Sequence, residues 1–426
     1  MNNTSINKDK KRKSNWRKKK AKLGNPHRPG SESNAPSRST RNKRNNKPNR
    51  QGRPKQGPSK LNPELLIHKA VQLEVKDFRA NRQFDDLPLN TRLKQNLKHK
   101  GYERPSEIQD KTLDILLKGQ DILGIAQTGT GKTGAFLIPI IEQLIDQKRN
   151  NHAIVVVPTR ELAVQVEEEF KTMTKGLGLY SQVFIGGTNV NKDIKALRRS
   201  INVVIGTPGR LLDLADRRAL DLRKINTLVL DEFDRMLDMG FIHDVKRIIA
   251  EMKQRKQTML FSATLDKKQQ SLIDLILNNP EVVKVSSGEA TSDHIDQDII
   301  RLNPGENKLK LLQTMLAHED YQKVLIFDEA KHRVNRLCDK LKKAGFKADC
   351  IHGNKTQNAR QNALEAFKRG KVNVLVATDV AARGIDVSDV THVINYVIPM
   401  TFDSYIHRIG RTGRAGKIGK AFTFVD

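Results

Sequence analysis

Short runs of apolar and β-branched residues recur along most of this chain, and they restrict its fold more than any other feature of the sequence. Amphipathic stretches with helical periodicity separate these runs. Examples are AIVVVPT (153–159), NVVIGTP (202–208), TLVLDE (227–232) and TMLFSAT (258–264). Strands that are apolar on both faces are buried on both faces, which is typical of a parallel sheet covered by helices. The sequence therefore predicts an α/β fold.

The alternation of apolar runs and helical stretches is interrupted once, at NNPEVVKVSSGEATSDH (278–294). A second set of apolar runs follows, from KVLIFD (323–328) to KAFTFV (420–425). Two sets of strands in one chain indicate two α/β domains. We therefore predict four segments. They are an N-terminal arm over residues 1–76, a first domain over 77–285, a linker over 286–295 and a second domain over 296–426.

Positive charge is concentrated in the arm. Residues 1–60 hold 20 Lys and Arg against two acids, Asp9 and Glu32, so +18 of the net charge of +29 lies there. Such a segment cannot bury enough surface to offset the entropy of ordering, so we expect it to be disordered. Its cations match the electrostatic footprint of a polyanion binder. A targeting signal of the nuclear type stays open on charge alone.

Other features of the composition argue against membranes and disulfide scaffolds. No apolar run approaches the ~18 residues that span a bilayer, and the charged N-terminus lacks the apolar core of a secretory signal. Cys338 and Cys350 are the two cysteines. They form no metal-ligand pattern in the sequence and are too few for a disulfide framework. We expect reduced thiols in a cytoplasmic protein that has no membrane partner.

The stretch DILGIAQTGTGKTGAF (121–136) predicts a strand, a Gly-rich loop and a helix. This is the arrangement of a phosphate-binding loop, with Ala126 in place of its first glycine. Backbone N–H groups converge on oxyanions there, and the helix N-terminus adds partial positive charge. Lys132 would reach the β- and γ-phosphates, and the Thr133 hydroxyl would hold Mg²⁺. The loop comprises Ala126, Gln127, Thr128, Gly129, Thr130, Gly131, Lys132 and Thr133.

Two adjacent acids, Asp231 and Glu232, follow the predicted strand TLVL. Alone they would indicate a common surface turn. A phosphate loop about a hundred residues upstream instead favours a nucleotide-hydrolysing site. In such a site Asp231 would hold Mg²⁺, and Glu232 would orient or deprotonate the attacking water.

Further motifs stand around these two in a fixed order: GYERPSEIQ (101–109), PTRELA (158–163), SAT (262–264), ATDVAARGID (377–386) and YIHRIGRTGR (405–414). With them, the chain from about residue 82 onward resembles the DEAD-box ATP-dependent RNA helicases of superfamily 2, and within them most resembles the bacterial RhlE-type branch. The resemblance implies two tandem RecA-like parallel-sheet domains. It also implies ATP and Mg²⁺ as cofactors, and RNA gripped by its backbone with little regard to sequence.

The resemblance assigns further residues to nucleotide binding and coupling. Gln109 would select adenine, with Phe84 packing nearby, and Asp386 would approach the ribose. His407 would contact the first-domain site, while Arg411 and Arg414 would meet the γ-phosphate as an arginine finger. The residues implied to couple hydrolysis to unwinding are Asp234, Ser262 and Thr264.

The resemblance also implies RNA contacts at loop ends, where small hydroxyls and backbone N–H groups suit phosphate and 2′-OH recognition. In the first domain these are Pro158, Thr159, Arg160, Gly187, Thr207, Pro208, Gly209 and Arg210. In the second domain they are His352, Gly353, Arg360, Thr378 and Gly384. For Arg408 an RNA contact is the alternative that stays open.

Several positions depart from the family pattern: Phe233 stands where Ala is usual, Ser106 replaces Thr, IFDEA (326–330) replaces a Phe-Cys-Asn-Thr type run, and Val397 replaces a common Asp. Phe233 contributes no polar group to the chemistry, so we expect activity to survive. Three rival hypotheses remain: a DNA helicase or translocase of the same superfamily, a clamp that binds RNA without turnover, and a GTPase. We expect a monomer that acts on RNA, with ribosomal RNA and ribonucleoproteins among the candidate partners.

Overall fold

The computed structural model describes residues 61–70, 78–127, 129–147, 153–265, 267–285, 294–382, 387, 389–413 and 418–425. Residues 1–60 of the predicted arm and residues 286–293 of the predicted linker lie outside this part of the chain. The predictions made for those two segments therefore stay predictions. Four residues with predicted roles also lie outside it: Thr128, Gly384, Asp386 and Arg414.

A seven-stranded parallel sheet forms the centre of the first domain, in the spatial order β3-β4-β2-β5-β6-β1-β7. The four apolar runs that were predicted as strands are confirmed as β2, β4, β5 and β6. The strands are β1 Ile122–Ile125, β2 Ala153–Val156, β3 Ser181–Phe184, β4 Val203–Gly206, β5 Thr227–Leu230, β6 Gln257–Ser262 and β7 Glu281–Lys284.

Helices cover both faces of this sheet. Neighbouring residues of one strand belong to different apolar clusters: Ile154 of β2 packs in one and Val155 in the other, and both are fully buried. This two-sided burial explains why the strands are apolar throughout. The helices are α1 Thr91–His99, α2 Glu107–Leu117, α3 Lys132–Gln147, α4 Arg160–Met173, α5 Val190–Ala196, α6 Pro208–Asp216, α7 Phe233–Asp238, α8 Ile242–Glu251 and α9 Lys267–Ile276.

The second domain repeats the architecture with a six-stranded parallel sheet, in the order β10-β11-β9-β12-β13-β8. The prediction of two tandem parallel-sheet domains is therefore confirmed. Its strands are β8 Ile295–Arg301, β9 Val324–Phe327, β10 Ala348–Ile351, β11 Val374–Ala377, β12 His392–Asn395 and β13 Gly419–Val425. Its helices are α10 Lys308–Leu316, α11 Lys331–Lys343, α12 Gln357–Lys368, α13 Asp379–Ala382 and α14 Phe402–Ile409.

Three strands gave no clear signal in the sequence: β3, β7 and β8. All three lie at the edge of a sheet. An edge strand is partly exposed, so it needs no continuous apolar run. In β7, for example, only Val283 is buried.

Residues 61–69 form a short segment that packs on the second domain, although the chain then enters the first domain at residue 78. A 3₁₀ helix spans Pro63–Leu66. This differs from the expectation of a disordered arm over residues 1–76, because Leu66 finds an apolar site on the second domain. Among the described residues, no helix has the length and apolar character needed to cross a membrane.

Candidate nucleotide site and nucleic-acid interface

The phosphate loop joins β1 to α3 at the carboxyl edge of the first sheet. Gly129 and Gly131 have φ angles of 90° and 96°, which a residue with a Cβ rarely adopts. Ala126 is buried and is not among the described residues with positive φ, so its methyl group is tolerated where the general phosphate-loop pattern has glycine. The loop is closed by a hydrogen bond of 2.8 Å from the Thr130 hydroxyl to the Gln127 carbonyl oxygen.

Lys132 begins α3, and its ammonium group points back into the loop. Nζ donates to the Ala126 carbonyl oxygen at 2.9 Å, and the residue is only 6 % exposed. A buried ammonium group beside a ring of backbone N–H groups suits a polyphosphate. Thr133 follows on the first turn of the helix and is half-buried.

Asp231 follows β5 and lies beside this lysine. Burial raises the pKa of its carboxyl group to about 6, and the nearby Glu232 and Asp234 carboxylates act in the same direction, whereas the charge of Lys132 opposes the shift. An ionised carboxylate that is this poorly solvated would be stabilised by a cation. The donor set of Asp231 and the Thr133 hydroxyl therefore fits Mg²⁺, which prefers oxygen ligands.

Glu232 sits in a left-handed backbone conformation, with φ 54° and ψ 52°, at the start of α7. Its Oε2 accepts a hydrogen bond of 2.7 Å from Nη1 of Arg235, and both side chains are almost fully buried. The ion pair fixes the carboxylate that was predicted to orient the attacking water. Sequence reasoning missed Arg235, although an acid and an arginine three residues apart at a helix start could have suggested the contact.

Phe233 is fully buried and belongs to the apolar cluster that also contains Leu230, Met236 and Val245. Its ring is therefore part of the core beneath α7. The departure from Ala is accommodated by packing, and its effect on activity stays a prediction.

The residues predicted to couple hydrolysis to unwinding lie together. Oδ2 of Asp234 accepts from the backbone N–H groups of Ala263 and Thr264, each at 3.2 Å, and lies 3.3 Å from the Thr264 hydroxyl. The Ser262 hydroxyl donates to the Thr264 carbonyl oxygen at 2.7 Å. The Ser262 carbonyl oxygen in turn accepts from the N–H of Ala126 at 3.0 Å. One chain of hydrogen bonds thus connects the acidic turn, the end of β6 and the phosphate loop.

Gln109 ties the upstream motif to the same loop. Its side-chain oxygen accepts from the Ser106 N–H at 3.0 Å, and its Nε2 donates to the Gly131 carbonyl oxygen at 2.9 Å. A Cβ at Gly131 or Gly134 would come within 2.7 or 2.6 Å of that Nε2. The amide therefore packs against two glycines and braces the phosphate loop. Its predicted contact with adenine stays a prediction.

Phe84, the other predicted base-side residue, is buried, with its ring centroid 5.8 Å from that of Tyr102. The backbone N–H of Phe84 donates to the Glu103 carbonyl oxygen at 3.0 Å. These contacts attach the segment before α1 to the turn that leads into α2, which carries Gln109, the other predicted base-side residue.

The predicted RNA residues of the first domain lie on three loops that follow the neighbouring strands β2, β3 and β4. Carboxyl ends of parallel strands meet at one edge, so these loops are adjacent. Thr159 caps α4 by accepting from the Leu162 N–H at 3.3 Å. Thr207 precedes α6, whose first residues are Pro208 and Gly209. Pro158 is buried beneath this edge.

Two arginines line the same edge. Arg160 packs its guanidinium group against Gly187, where a Cβ would come within 2.5 Å of Nη1. Burial lowers the pKa of Arg160, and the neighbouring charges of Arg360 and Arg210 lower it further, while Glu161 opposes them. Arg210 forms an ion pair with Asp193. The Arg160 guanidinium therefore lies beside the small residues of the loop after β3, while the charge of Arg210 is balanced by Asp193.

In the second domain His352 follows β10 and is buried, with Nε2 2.8 Å from the Asn335 side-chain oxygen. Burial, reinforced by the charges of Lys355, Arg360 and Lys331, lowers the pKa of His352. Gly353 comes next and is exposed. Thr378 follows the neighbouring strand β11, and its N–H lies 3.4 Å from the Ile351 carbonyl oxygen. These predicted RNA residues therefore also share one sheet edge.

Arg360 contacts the first domain. Its Nη2 lies 2.7 Å from Oε2 of Glu161, and Nε2 of Gln357 donates to Oε1 of the same carboxylate at 3.2 Å. Glu161 is 3 % exposed and Arg360 8 %. The ion pair joins α4 to α12 across the two domains, a contact that the sequence did not indicate. The role of Arg360 in binding RNA stays a prediction.

The arginine-rich segment lies on α14 and just after it. Arg408 is buried and makes two hydrogen bonds to Asp379, at 2.6 and 2.8 Å, while its guanidinium carbon lies 5.2 Å from the centroid of the Phe327 ring. Arg408 therefore joins α14 to α13 inside the second domain. Arg411 is 5 % exposed, and its Nε lies 3.3 Å from the His407 carbonyl oxygen. Contact of Arg411 and His407 with the nucleotide stays a prediction.

The two cysteines are neighbours in space. The ligand atoms of Cys338, Cys350 and Asp349 all lie within 4.8 Å of one another, which the sequence spacing did not reveal. Lys355 and Lys342 lie 3.2 and 3.4 Å from the Asp349 carboxylate. Their positive charges disfavour a metal ion at this cluster.

Comparison with known proteins agrees with this geometry. The family profile described as DEAD/DEAH box helicase matches residues 106–272, and the profile described as Helicase conserved C-terminal domain matches residues 307–416. The fold and the site define a two-domain P-loop protein. The chain belongs to the DEAD-box helicase family.

Relatives support the assignment along most of the chain. The ATP-dependent RNA helicase CshA of Listeria monocytogenes is 43 % identical over 344 residues, covering 80 % of this chain and 66 % of that protein. The DEAD-box ATP-dependent RNA helicase CshA of Streptococcus pneumoniae is 44 % identical over 343 residues, covering 80 % and 65 %. The chain thus spans just under two thirds of these relatives. Since they are named CshA, the predicted RhlE-type branch stays a prediction.

A solved structure shows the same fold. It is S. cerevisiae Dbp5 bound to RNA and ADP BeF3, with a TM-score of 0.72 and 31 % identity, covering 80 % of this chain and 89 % of that chain.

Proposed function

We propose that this protein is an ATP-dependent RNA helicase, which couples RNA-stimulated ATP hydrolysis to local duplex unwinding or remodelling of ribonucleoproteins. The observation that carries the proposal is the chain of hydrogen bonds from the phosphate loop through Ser262 and Thr264 to Asp234. It joins the phosphate loop to the end of β6 and to the acidic turn after β5, which holds the acids predicted to act in hydrolysis. The names of the relatives and the RNA and nucleotide analogue bound to Dbp5 support the same activity.

Each group of the first-domain site has a chemical task in this proposal. Lys132 would bind the terminal phosphates of ATP, and Gln109 would hold the loop in position while selecting the base. Glu232, fixed by Arg235, would orient the attacking water and accept its proton. Asp231 and Thr133 would hold Mg²⁺. The bound ion would offset phosphate charge that develops during transfer.

The second domain would complete the site. Arg411 and Arg414 would stabilise the charge on the transferred phosphoryl group, and His407 would contact the first domain. ATP and RNA would both favour the closed arrangement, so each should tighten the binding of the other by the same factor. Closure would bend one strand of the RNA duplex and release its partner.

The substrate proposal is RNA recognised through phosphates and 2′-OH groups, so the sequence preference should be weak. Ribosomal RNA and ribonucleoproteins are candidate targets, and we propose a monomer that acts in the cytoplasm. The basic arm would add affinity that depends on salt. Removal of residues 1–60 should weaken RNA binding and flatten the slope of log K against log salt. An unchanged slope would show that the arm does not contribute.

The decisive experiment measures phosphate release from ATP with matched RNA and DNA duplexes, in the wild type and in Lys132→Ala. We expect stimulation by RNA, weaker stimulation by DNA, little competition by GTP, and loss of turnover in the variant. Equal stimulation by DNA would favour a DNA translocase. RNA binding without turnover in the wild type would favour a non-catalytic clamp, and strong competition by GTP would favour a GTPase.

A further inference from the structure

Residues 61–69, called here the docking segment, add an antiparallel partner to the edge of the second sheet. The backbone N–H of His68 donates to the Gln297 carbonyl oxygen at 3.0 Å, and the N–H of Gln297 donates to the His68 carbonyl oxygen at 2.7 Å. β8 is the edge strand of that sheet. Such an edge presents backbone groups that another segment can pair with. The docking segment covers part of this edge, in the manner of peptides that bind by strand addition.

One apolar anchor fixes the docking segment. Leu66 is fully buried in the second-domain cluster that includes Ile295, Tyr405 and Ile409. The neighbouring Leu65 is 66 % exposed. Burial of one leucine and exposure of the next show that the segment has a defined orientation on the domain.

A hydrogen bond from Tyr405 also holds the backbone of the docking segment at Leu66. The Tyr405 hydroxyl lies 3.3 Å from the Leu66 carbonyl oxygen and 3.0 Å from Oε1 of Gln297, so its proton is shared between two acceptors. Burial raises the pKa of Tyr405 well above its usual value, which keeps the hydroxyl a neutral donor.

Two ion pairs lie along the same contact. Glu64 pairs with Arg301, and Nζ of Lys69 lies 3.5 Å from Oδ1 of Asp296. These groups are exposed, so they contribute little to affinity. Their order along the docking segment and along β8 is nevertheless antiparallel, in agreement with the bridge between His68 and Gln297.

The docking segment is covalently joined to the first domain. Eight Cα–Cα steps separate residue 70 from residue 78, and a chain of that length spans at most about 28 Å. Tyr405 lies on α14, the helix that also carries His407 and leads to Arg411. While the segment is docked, the distance between α14 of the second domain and residue 78, where the first domain begins, is therefore limited.

We propose that the edge of β8 and the pocket beside Tyr405 form a docking surface for residues 61–69 of the same chain, and that docking restrains the opening of the two domains. The docking itself is independent of the proposed function. Only its effect on catalysis rests on that function, since restraint should favour the closed arrangement that ATP and RNA require.

The test compares Leu66→Asp with Leu65→Asp in the full chain, because these variants place the same charge on the buried and the exposed side of the segment. Hydrogen exchange should show faster exchange at the Gln297 amide in Leu66→Asp, by about tenfold or more, and no change in Leu65→Asp. Small-angle X-ray scattering without nucleotide should give a larger radius of gyration for Leu66→Asp. Unchanged exchange at Gln297 would overturn the docking surface, and an unchanged radius with faster exchange would overturn the restraint.

Tyr405→Phe serves as a second variant in case Leu66→Asp fails to fold, since it removes one hydroxyl and keeps the ring. It should speed exchange at Gln297 by a few-fold, and no change there would overturn the docking surface. The KM for RNA in ATP hydrolysis should rise about three- to tenfold in Leu66→Asp but not in Leu65→Asp. If the wild type lacks turnover, the proposed function fails, while exchange and scattering still decide the docking.

Discussion

The two domains hold their charged groups in different ways. In the first domain Asp231 and Lys132 are buried beside the phosphate loop at the carboxyl edge of the sheet, and among the described residues neither is held in an ion pair of the kind that fixes Glu232 to Arg235. In the second domain Arg408 is buried in an ion pair with Asp379, inside the domain itself. The comparison indicates that buried charge lies at the predicted nucleotide site in one domain and in an internal ion pair in the other. The roles of the arginines on and after α14 must therefore be tested one at a time.

The largest effect expected from this comparison is at Arg411. Arg411→Ala should lower the RNA-stimulated kcat by roughly 10³–10⁵, because an arginine finger stabilises charge on the transferred phosphoryl group. Steady-state phosphate release measures it. Arg369→Ala is the matched control, since Arg369 is an exposed second-domain arginine. A loss of only a few-fold in Arg411→Ala would place this residue with Arg408 among the architectural arginines.

Asp379→Asn should instead act on stability. It leaves the Arg408 guanidinium buried without its counter-charge, so the free energy of unfolding should fall by about 2–4 kcal/mol. Scanning calorimetry would follow this as a lower transition temperature for the second domain. Glu365→Gln breaks the exposed pair with Arg369 and should cost less than about 1 kcal/mol. Equal effects in the two variants would contradict a supporting role for Arg408.

The contact between the domains should have an intermediate effect. Glu161→Gln and Arg360→Gln should each weaken RNA binding about tenfold in the presence of a non-hydrolysable ATP analogue, because either change breaks the pair across the domains. Fluorescence anisotropy with a labelled RNA gives the Kd values. The double variant should be little worse than either single one. If Arg360→Gln alone weakens binding, Arg360 contacts RNA directly.

The smallest effect concerns pH and the second domain. The pKa of His392 is lowered to about 4, chiefly by burial and also by the charge of Lys420, while Asp320 opposes the shift. The unfolded chain, with an imidazole pKa near 6.5, binds more protons between about pH 6.5 and 4, so stability is fully present above pH 6.5 and falls below it. We expect a loss of about 1–2 kcal/mol between pH 7 and pH 5, because one unit of pKa difference corresponds to about 1.4 kcal/mol.

Calorimetry at pH 7 and pH 5 measures this loss in the second-domain transition. His392→Gln should reduce the pH dependence, and His332→Gln, at an exposed position, should not. An unchanged pH dependence in His392→Gln would assign the effect to other groups.

The sequence revealed most of the fold and of the first-domain site, for a physical reason. Buried parallel strands require continuous apolar runs, and the phosphate loop requires Gly129 and Gly131 at positive φ, so both leave local patterns. The contacts that were missed join residues far apart in the chain. Neither Glu161 with Arg360 nor Leu66 with Tyr405 can be inferred from local spacing. Edge strands such as β7 were missed because a partly exposed strand can contain polar residues and so shows no continuous apolar run.

Gly134 lies inside α3, where glycine costs up to about 1 kcal/mol relative to alanine. The reason for its presence is the amide of Gln109, which fills the space that a side chain would take. Gln109, the residue predicted to select the base, is therefore also part of the structure that holds the phosphate loop in place. We expect an exchange of Gln109 made to change the base preference to alter the phosphate loop as well. A bulkier residue at position 109 would collide with Gly131 and Gly134 and would deform the phosphate loop.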